Sequence, residues 1–412
     1  MPRLRLGAPV WLEPDRPQID IEAPRLASTV TTDVAIVGGG LTGAVIAHAC
    51  VSRGLSVAVL ESRRFGRGST GANTGLLVYE PDERLTTLAG RYGVRTALRI
   101  WQLSRDATAE LAATLRALRV PCDLAPRSSI YFSTTRDTAA RLRREYDLRR
   151  EHGVRSRWLD AAALRRRAAI HGTAAIETSG HAQLDPYRAC RGLLSAAARA
   201  GAGLFERTRV TRIEAGARGV RLWTRGGSVR ARHVIVATGY ATREFRPLAG
   251  TFTLSHTYAM STEPMAPADR AHLGIPDVLL WSAERPYHYL RWGPEGRLIV
   301  GGADRPLVPA ARRTAAFAQG RRRLARDLRA SCPALRGTRF DSAWEGLFAV
   351  TPDGLPYLGT HPRYPRHLFA LGYGGNGMAF ASLAARMLTR ALLGRPDPDL
   401  GLFGFERFNR RP

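Results

Sequence analysis

The chain has 412 residues, 44% of them hydrophobic and 24% charged, which excludes an intrinsically disordered chain. At roughly 100–200 residues per domain, this length predicts two domains or three. The 62 basic residues are all Arg and face 35 Asp and Glu, a formal charge of +27, while four distant cysteines (Cys50, Cys122, Cys190 and Cys332) exclude a disulfide-dense scaffold and any CxxC motif.

The charge admits an acidic partner such as nucleic acid or an anionic membrane surface. The arginines are spread along the chain, with small knots at Arg149-Arg150, Arg165–Arg167 and Arg321–Arg323. A coding bias towards Arg accounts for that spread better than a binding arm, so nucleic acid is not the expected partner. Met1 to Glu13 has no apolar run behind Arg3 and Arg5, which argues against a secretory signal. Val34 to Val51 carries no formal charge over 18 residues, the length of a membrane span. Three consecutive glycines, Thr42 and His48 split it into strand, turn and helix. No transmembrane segment is expected, and the expected location is cytoplasmic.

Residues 1–30 are Pro-rich and read as an irregular arm. Val34–Val37 is wholly apolar, as a parallel strand buried on both faces must be. Gly38–Gly40 turns into a helix over Leu41–Arg53, stopped by Gly54. Val57–Leu60 is the next buried strand and ends in Glu61, completing a βαβ unit. Residues 84–119 read as mainly helical, Ser129–Ser133 as a strand, and 136–152 and 158–167 as helices. A strand–turn–strand runs from Arg207 to Val229 with its turn at Gly226-Gly227, and His233–Ala237 is a further buried strand. Several strands fall within 251–304, with a turn at Gly293–Gly296. Leu368–Leu371 is a strand, Gly372–Gly377 a Gly-rich turn, and Met378–Leu393 an amphipathic helix stopped by Gly394 and Pro396.

Gly38-Gly39-Gly40-Leu41-Thr42-Gly43 fits G-x-G-x-x-G. Gly38 permits the tight turn, Gly40 lets backbone approach a pyrophosphate, and Gly43 lets helix and strand pack closely. The helix start offers unpaired N–H groups to phosphate. Glu61 follows Gly38 by 23 residues, near the ~20 expected of a ribose-binding carboxylate. The cofactor is thus a dinucleotide, NAD or FAD. The second small-residue segment, Arg67 to Leu77, follows directly on the second strand. Its small residues and hydroxyls suit an extended pyrophosphate and an isoalloxazine, which favours FAD.

At this point the sequence resembles the FAD-dependent oxidoreductases of the D-amino-acid oxidase type. The matching segments are DVAIVGGGLTG (33–43), LES (60–62), GSTGANTG (68–75), LDPYR (184–188), VIVATGY (234–240), PYHYLRW (286–292), RLIVGGAD (297–304), AWEGLFAVTPDGLPYLG (343–359) and LGYGGNGMAFA (371–381). They span nearly the whole chain in order.

The resemblance implies an α/β fold. A Rossmann-type FAD-binding domain (31–84, 171–244 and 345–412) is interleaved with an α+β substrate domain (85–170 and 245–344) holding a mostly antiparallel sheet, behind the N-terminal arm 1–30. It implies that FAD touches Gly38, Gly40, Leu41, Thr42, Gly43, Glu61, Ser62 and Arg63. The second loop adds Gly68, Ser69, Thr70, Asn73, Thr74, Gly75 and Leu76. Val210 matches the position whose backbone holds the adenine, and Ala237 and Gly239 end the strand passing the dinucleotide. Gly374, Gly375, Asn376, Gly377 and Met378 match the loop at the flavin pyrimidine edge, where a helix start favours the charge of the reduced flavin. GSTGANTG has no His and Cys332 lies outside the C-terminal flavin segments, so FAD is expected to be non-covalent, with no metal.

The activity implied by the resemblance is hydride transfer from a carbon bearing an amine to flavin N5, giving an imine that hydrolyses. The substrate is a small amine or amino acid, and the electron acceptor is O2 or another carrier. In a strand, Tyr287, Tyr289 and Arg291 project from one face, and an Arg between two Tyr suits a carboxylate. An ion pair at a domain boundary is the structural alternative for Arg291. Tyr258 and His256 are further candidates for the pocket, and Trp344 reads as core. Three alternatives stay open: a hydroxy acid or glycerol phosphate as donor, a modified tRNA base as substrate, or a catalytically silent flavoprotein.

Overall fold

The computed structural model describes residues 6–408. Its strands form two sheets. The first is built on β1 (Thr29–Val37), α1 (Leu41–Val51) and β2 (Val57–Leu60). β1 lies between β2 and the long strand Ser228–Gly239, parallel to both. Tyr364–Leu371 continues the parallel set beyond Ser228–Gly239, and Gly203–Phe205 continues it beyond β2. Every residue of β2 is buried, because helices cover one face of this sheet and a hairpin layer the other.

That helical layer consists of α1, Pro186–Arg199, Val94–Ala117 and Gly377–Leu392, which share one apolar core with the sheet. α1 is apolar all round, with Leu41, Ala44, Ile46 and Cys50 buried, as a helix wedged between neighbours must be. Among the described residues no helix is long and apolar enough to cross a membrane.

The second sheet is mostly antiparallel. It contains β3 (Thr253–Thr262), β4 (His288–Trp292) and β5 (Leu298–Pro306). β5 pairs with both β3 and β4, and Phe340–Val350 pairs with the other edge of β3. Leu279–Ser282 joins β4 to Ala125–Ser133 through a parallel contact. The helix Arg313–Ser331 covers one face, burying Leu324 and Leu328.

Several elements differ from the sequence reading. Residues 156–160 form an edge strand, and the helix runs Ala161–Ala168. Asp160 sets that boundary, its carboxylate accepting the Ala163 N–H at 2.7 Å, as an N-cap does. The helical region 84–119 is two helices, Leu85–Tyr92 and Val94–Ala117, parted at Gly93 with φ +80°. Arg207–Val229 holds an extra hairpin, Arg212–Gly216 with Gly219–Trp223. Ala174–Gln183, expected with the dinucleotide-binding sheet, pairs instead with Ala125–Ser133 in the second sheet. Val94–Ala117, expected with the substrate domain, packs on Gly377–Leu392. The N-terminal arm is pinned where Trp11 is buried and donates its Nε1–H to the Asn73 carbonyl at 2.7 Å.

Candidate active site

A cavity of about 730 Å³ runs between the two sheets, within the range of roughly 300–1,000 Å³ usual for small-molecule and cofactor sites. One end is the β1–α1 turn. Gly38 has φ +113°, and a Cβ there would sit 2.5 Å from the Ala237 carbonyl oxygen. A Cβ on Gly43 would sit 2.0 Å from the Gly38 carbonyl oxygen, so only glycine lets α1 approach β1 this closely. Gly40 is different. Its φ is −81°, which any residue adopts, and the nearest atom to its Cβ position is the Thr70 Oγ1 at 3.1 Å. Neither conformation nor neighbours demand glycine there. The turn borders the cavity, and a group lying along it has room there.

Glu61 stands at the end of β2. Its Oε2 accepts the Gly39 N–H at 3.0 Å, and its Oε1 accepts the Arg63 N–H at 2.7 Å and the Ser62 hydroxyl at 3.2 Å. These bonds hold the carboxylate on the cavity wall, beside the loop carrying Val210, whose Thr208 N–H donates to the Glu61 carbonyl at 2.8 Å. Thr70 accepts the Leu41 N–H at 2.9 Å and ties the second loop to the start of α1.

The cavity brings together most of the expected cofactor residues. Gly38, Gly40, Leu41, Thr42, Glu61, Ser62, Arg63, Gly68, Ser69, Thr70, Asn73, Thr74, Leu76, Val210, Ala237, Gly239 and Gly374–Met378 all line it. Two of the expected contacts do not. Gly43 lies beneath the turn, and Gly75 faces away. Gly75 has φ +78°, and its Cβ position is 2.1 Å from the Leu184 carbonyl oxygen and 2.4 Å from Arg291 Nη2. The described lining contains no cysteine and no histidine. The buried Tyr373 hydroxyl sits on the same wall beside Thr42. These observations fit a dinucleotide lying from Val210 to the Gly-rich turn.

At the far end the cavity is walled by Tyr287, Tyr289, Tyr131, Trp281 and Thr257. Burial raises the Tyr287 phenol well above its usual range, and Asp82 adds to that. Burial pushes Tyr289 up to about 12. Gly301 lets Tyr289 lie flat on β5, since a Cβ would sit 2.3 Å from its ring.

Two expected substrate residues are corrected. Arg291 does not reach the cavity. It is 2% exposed, donates to the carbonyls of Thr74 (2.7 Å), Leu184 (2.9 Å) and Trp292 (2.9 Å), and lies 5.2 Å from the Trp11 ring centre. Strand alternation put it on the face of Tyr287 and Tyr289, but it stands beyond the end of the cavity, under the loop at Gly75. Burial brings its pKa down to about 9. Tyr258 is 1% exposed on the opposite face of β3 from Thr257, packed on Gly320 and Phe317. His256 is buried beside Glu345 at 3.8 Å and likewise stays out of the lining.

The sequence reading missed Asp82. Its Oδ2 accepts the Gly375 N–H across 293 residues of chain, a pairing that no spacing announces. Burial raises its carboxyl to about 6, against the pull of the Gly375 N–H and Arg285. Asp304, beside Thr257, is also raised to about 6 by burial. Also missed was a buried triad next to this end. Arg149 bridges Glu80 at 2.8 Å and Glu145 at 2.9 Å. Burial pushes the Glu80 carboxyl up, but Arg149 and His181 outweigh it and bring it to about 2. Asn376, ahead of the helix Gly377–Leu392, donates to the Glu80 carbonyl. The triad thus anchors the Gly-rich turn.

Residues 33–391 match the family model described as DAO, FAD dependent oxidoreductase. The chain is 28% identical to the glycine oxidase of Geobacillus kaustophilus (strain HTA426), over 91% of this chain and 97% of that protein. It is 27% identical to the gamma-glutamylputrescine oxidoreductase of Escherichia coli (strain K12), over 90% of this chain and 85% of that protein. The crystal structure of glycine oxidase from Geobacillus kaustophilus aligns with a TM-score of 0.76 at 26% identity, covering 92% of this chain and 99% of the other.

Proposed function

The chain belongs to the DAO family of FAD-dependent oxidoreductases, and from that premise we propose that it oxidises a carbon–nitrogen bond of a small amine or amino acid. The observation that carries this reading is a continuous cavity joining the Gly40 turn to a chamber lined by tyrosines and Asp82. FAD supplies the two-electron acceptor for a hydride from the carbon bearing nitrogen. The similarity to glycine oxidase and gamma-glutamylputrescine oxidoreductase supports a nitrogen-bearing donor.

The chain's own residues bind and orient. Gly38, Gly40 and the start of α1 take the pyrophosphate. Glu61 takes the ribose hydroxyls, and the Val210 loop closes over the adenine. The start of Gly377–Leu392 places a positive helix end where reduction adds negative charge. A lining without cysteine or histidine supports non-covalent FAD. Tyr287, Tyr289 and Trp281 exclude water from the donor and place its carbon, which is most of what hydride transfer requires. The imine product hydrolyses in water to a carbonyl compound and an amine. Four free cysteines accord with a reducing compartment, the cytoplasm.

Steady-state turnover with a two-electron dye as acceptor tests this reading. The expected result is one carbonyl product and one released amine or ammonia per dye reduced. Turnover of hydroxy acids without nitrogen release contradicts it.

A further inference from the structure

We propose that Asp82 receives the positively charged amino group of the donor, and so selects substrates that arrive as ammonium ions. This rests on the reading of the cavity as an amine-oxidising site.

The first observation is how the carboxylate is held. Gly374 has φ +56°, and a Cβ there would lie 2.3 Å from Asp82 Oδ2. A Cβ on Gly375 would lie 2.8 Å from Oδ1 and 3.1 Å from the Tyr287 hydroxyl. Any larger residue at either position would displace Asp82. Oδ2 is fixed by the Gly375 N–H, and among the described residues no donor is bonded to Oδ1. Asp82 lines the cavity, and its Oδ1 and the Tyr287 hydroxyl both lie beside Gly375.

The second observation is the missing counter-ion. The fully buried carboxylates have an arginine: Glu80 and Glu145 share Arg149, Asp353 has Arg407, and Glu345 has Arg313. The half-buried Asp82 and Asp304 at this end of the cavity are in no ion pair with an arginine among the described residues. In a chain with 62 arginines, Asp82 has none in ion-pair contact among the described residues. Arg285 is the nearest candidate. Its side chain is 63% exposed, lies over the Tyr287 ring at 5.2 Å and turns towards Glu83 at 3.8 Å. Glu83 and Asp304 add negative charge around Asp82, Tyr287 stands beside it, and Arg84 and Arg149 line the same cavity without an ion-pair contact to it among the described residues. Asp82 is half-buried on the cavity wall, and a carboxylate partly shielded from water without a counter-ion is stabilised when a cation joins it. The bound donor supplies that cation, and the aromatic faces of Tyr287 and Trp281 add cation–π attraction.

The same contact has a chemical use. Hydride loss from the donor carbon needs the nitrogen lone pair. The ammonium N–H bond breaks, the proton forms an O–H bond on Oδ1, and the neutral amine keeps the electron pair. No electrons leave the donor in this step.

Asp82→Asn keeps an oxygen for the Gly375 N–H and removes only the charge. The probe is tert-butylammonium, which has no hydrogen on the carbon bearing nitrogen and cannot be oxidised. Its binding to the holoenzyme is read by calorimetry and by perturbation of the flavin band. The expected result is at least about tenfold weaker binding in D82N, with unchanged flavin content and unchanged affinity for neutral tert-butanol. Binding within twofold of wild type overturns the proposal.

If D82N fails to retain flavin, the wild type still decides. Tert-butylammonium stays charged across neutral pH, so its affinity should fall about tenfold from pH 8 to pH 5 as Asp82 protonates. A flat profile overturns the proposal. Failure of every amine to reduce the wild type would contradict the oxidation reading alone, since charge-dependent binding at Asp82 would still stand.

Discussion

Arg291 and Gly75 are in contact. The glycine's missing Cβ would sit 2.4 Å from the guanidinium Nη2, and the same guanidinium satisfies the carbonyls of Thr74 and Leu184 on either side. The arginine is therefore a strut between the loop at Thr74-Gly75 and β4, and it stands outside the cavity. Arg291→Ala would leave three buried carbonyls without a donor. It should cost about 3 kcal/mol or more, read as a lowered denaturation midpoint. KM for carboxylate-bearing and simple amine donors should change by the same factor. A rise confined to carboxylate donors would return Arg291 to the substrate site.

Gly40→Val separates folding from cofactor binding. Only the Thr70 hydroxyl stands within 4 Å of the new Cβ, so the fold should survive. The branched side chain would occupy the space along the turn that a pyrophosphate needs. The expected outcome is a folded protein whose flavin-to-protein absorbance ratio falls at least about tenfold. Full flavin content in this variant would remove the turn from the cofactor site.

The triad of Glu80, Arg149 and Glu145 gives stability a pH dependence. Folding lowers the Glu80 carboxyl to about 2, from about 4.3 in an unfolded chain. A carboxyl depressed in the folded state contributes fully above its unfolded value, and that contribution is lost as pH falls through about 2. Denaturation midpoints should therefore drop between pH 4.5 and pH 2, and Glu80→Gln should flatten that drop. Arg149→Met would strand two buried carboxylates and should cost roughly 3–5 kcal/mol at pH 7.

Asp82 has the opposite sign. Its folded carboxyl stands at about 6, above about 3.9 unfolded. A carboxyl raised by folding favours the folded state at low pH and opposes it as pH rises through that window. Asp82→Asn should thus raise the melting temperature of the flavin-free protein at pH 8 and leave it nearly unchanged at pH 4. A lowered melting temperature at pH 8 would show that the charge serves the fold rather than a ligand.

The parts of this molecule that were readable in sequence are those set by neighbours along the chain. β1, α1 and β2 announce themselves through an apolar run, three glycines and a second apolar run, and the geometry at Gly38 and Gly43 follows from that order. Ala174–Gln183 was misplaced because its sheet is chosen by pairing with Ala125–Ser133, some fifty residues earlier. Tyr258 and Thr257 show the limit of strand alternation. It separates two faces, but which face meets the cavity is decided by the helix Arg313–Ser331 packing on the other. Arg291 failed for a related reason: a shared face does not give the position where the cavity ends. Asp82 was hidden because its partner Gly375 is distant in sequence and the pair has no motif.

The measurement that bears most directly on the central claim is anaerobic reduction of the purified holoenzyme. Small amines, amino acids, hydroxy acids and glycerol phosphate are added singly without oxygen, and the visible flavin band is followed. The account predicts bleaching by at least one compound bearing an amino group and none by hydroxy acids or glycerol phosphate. A flavin band bleached only by a hydroxy compound would contradict it.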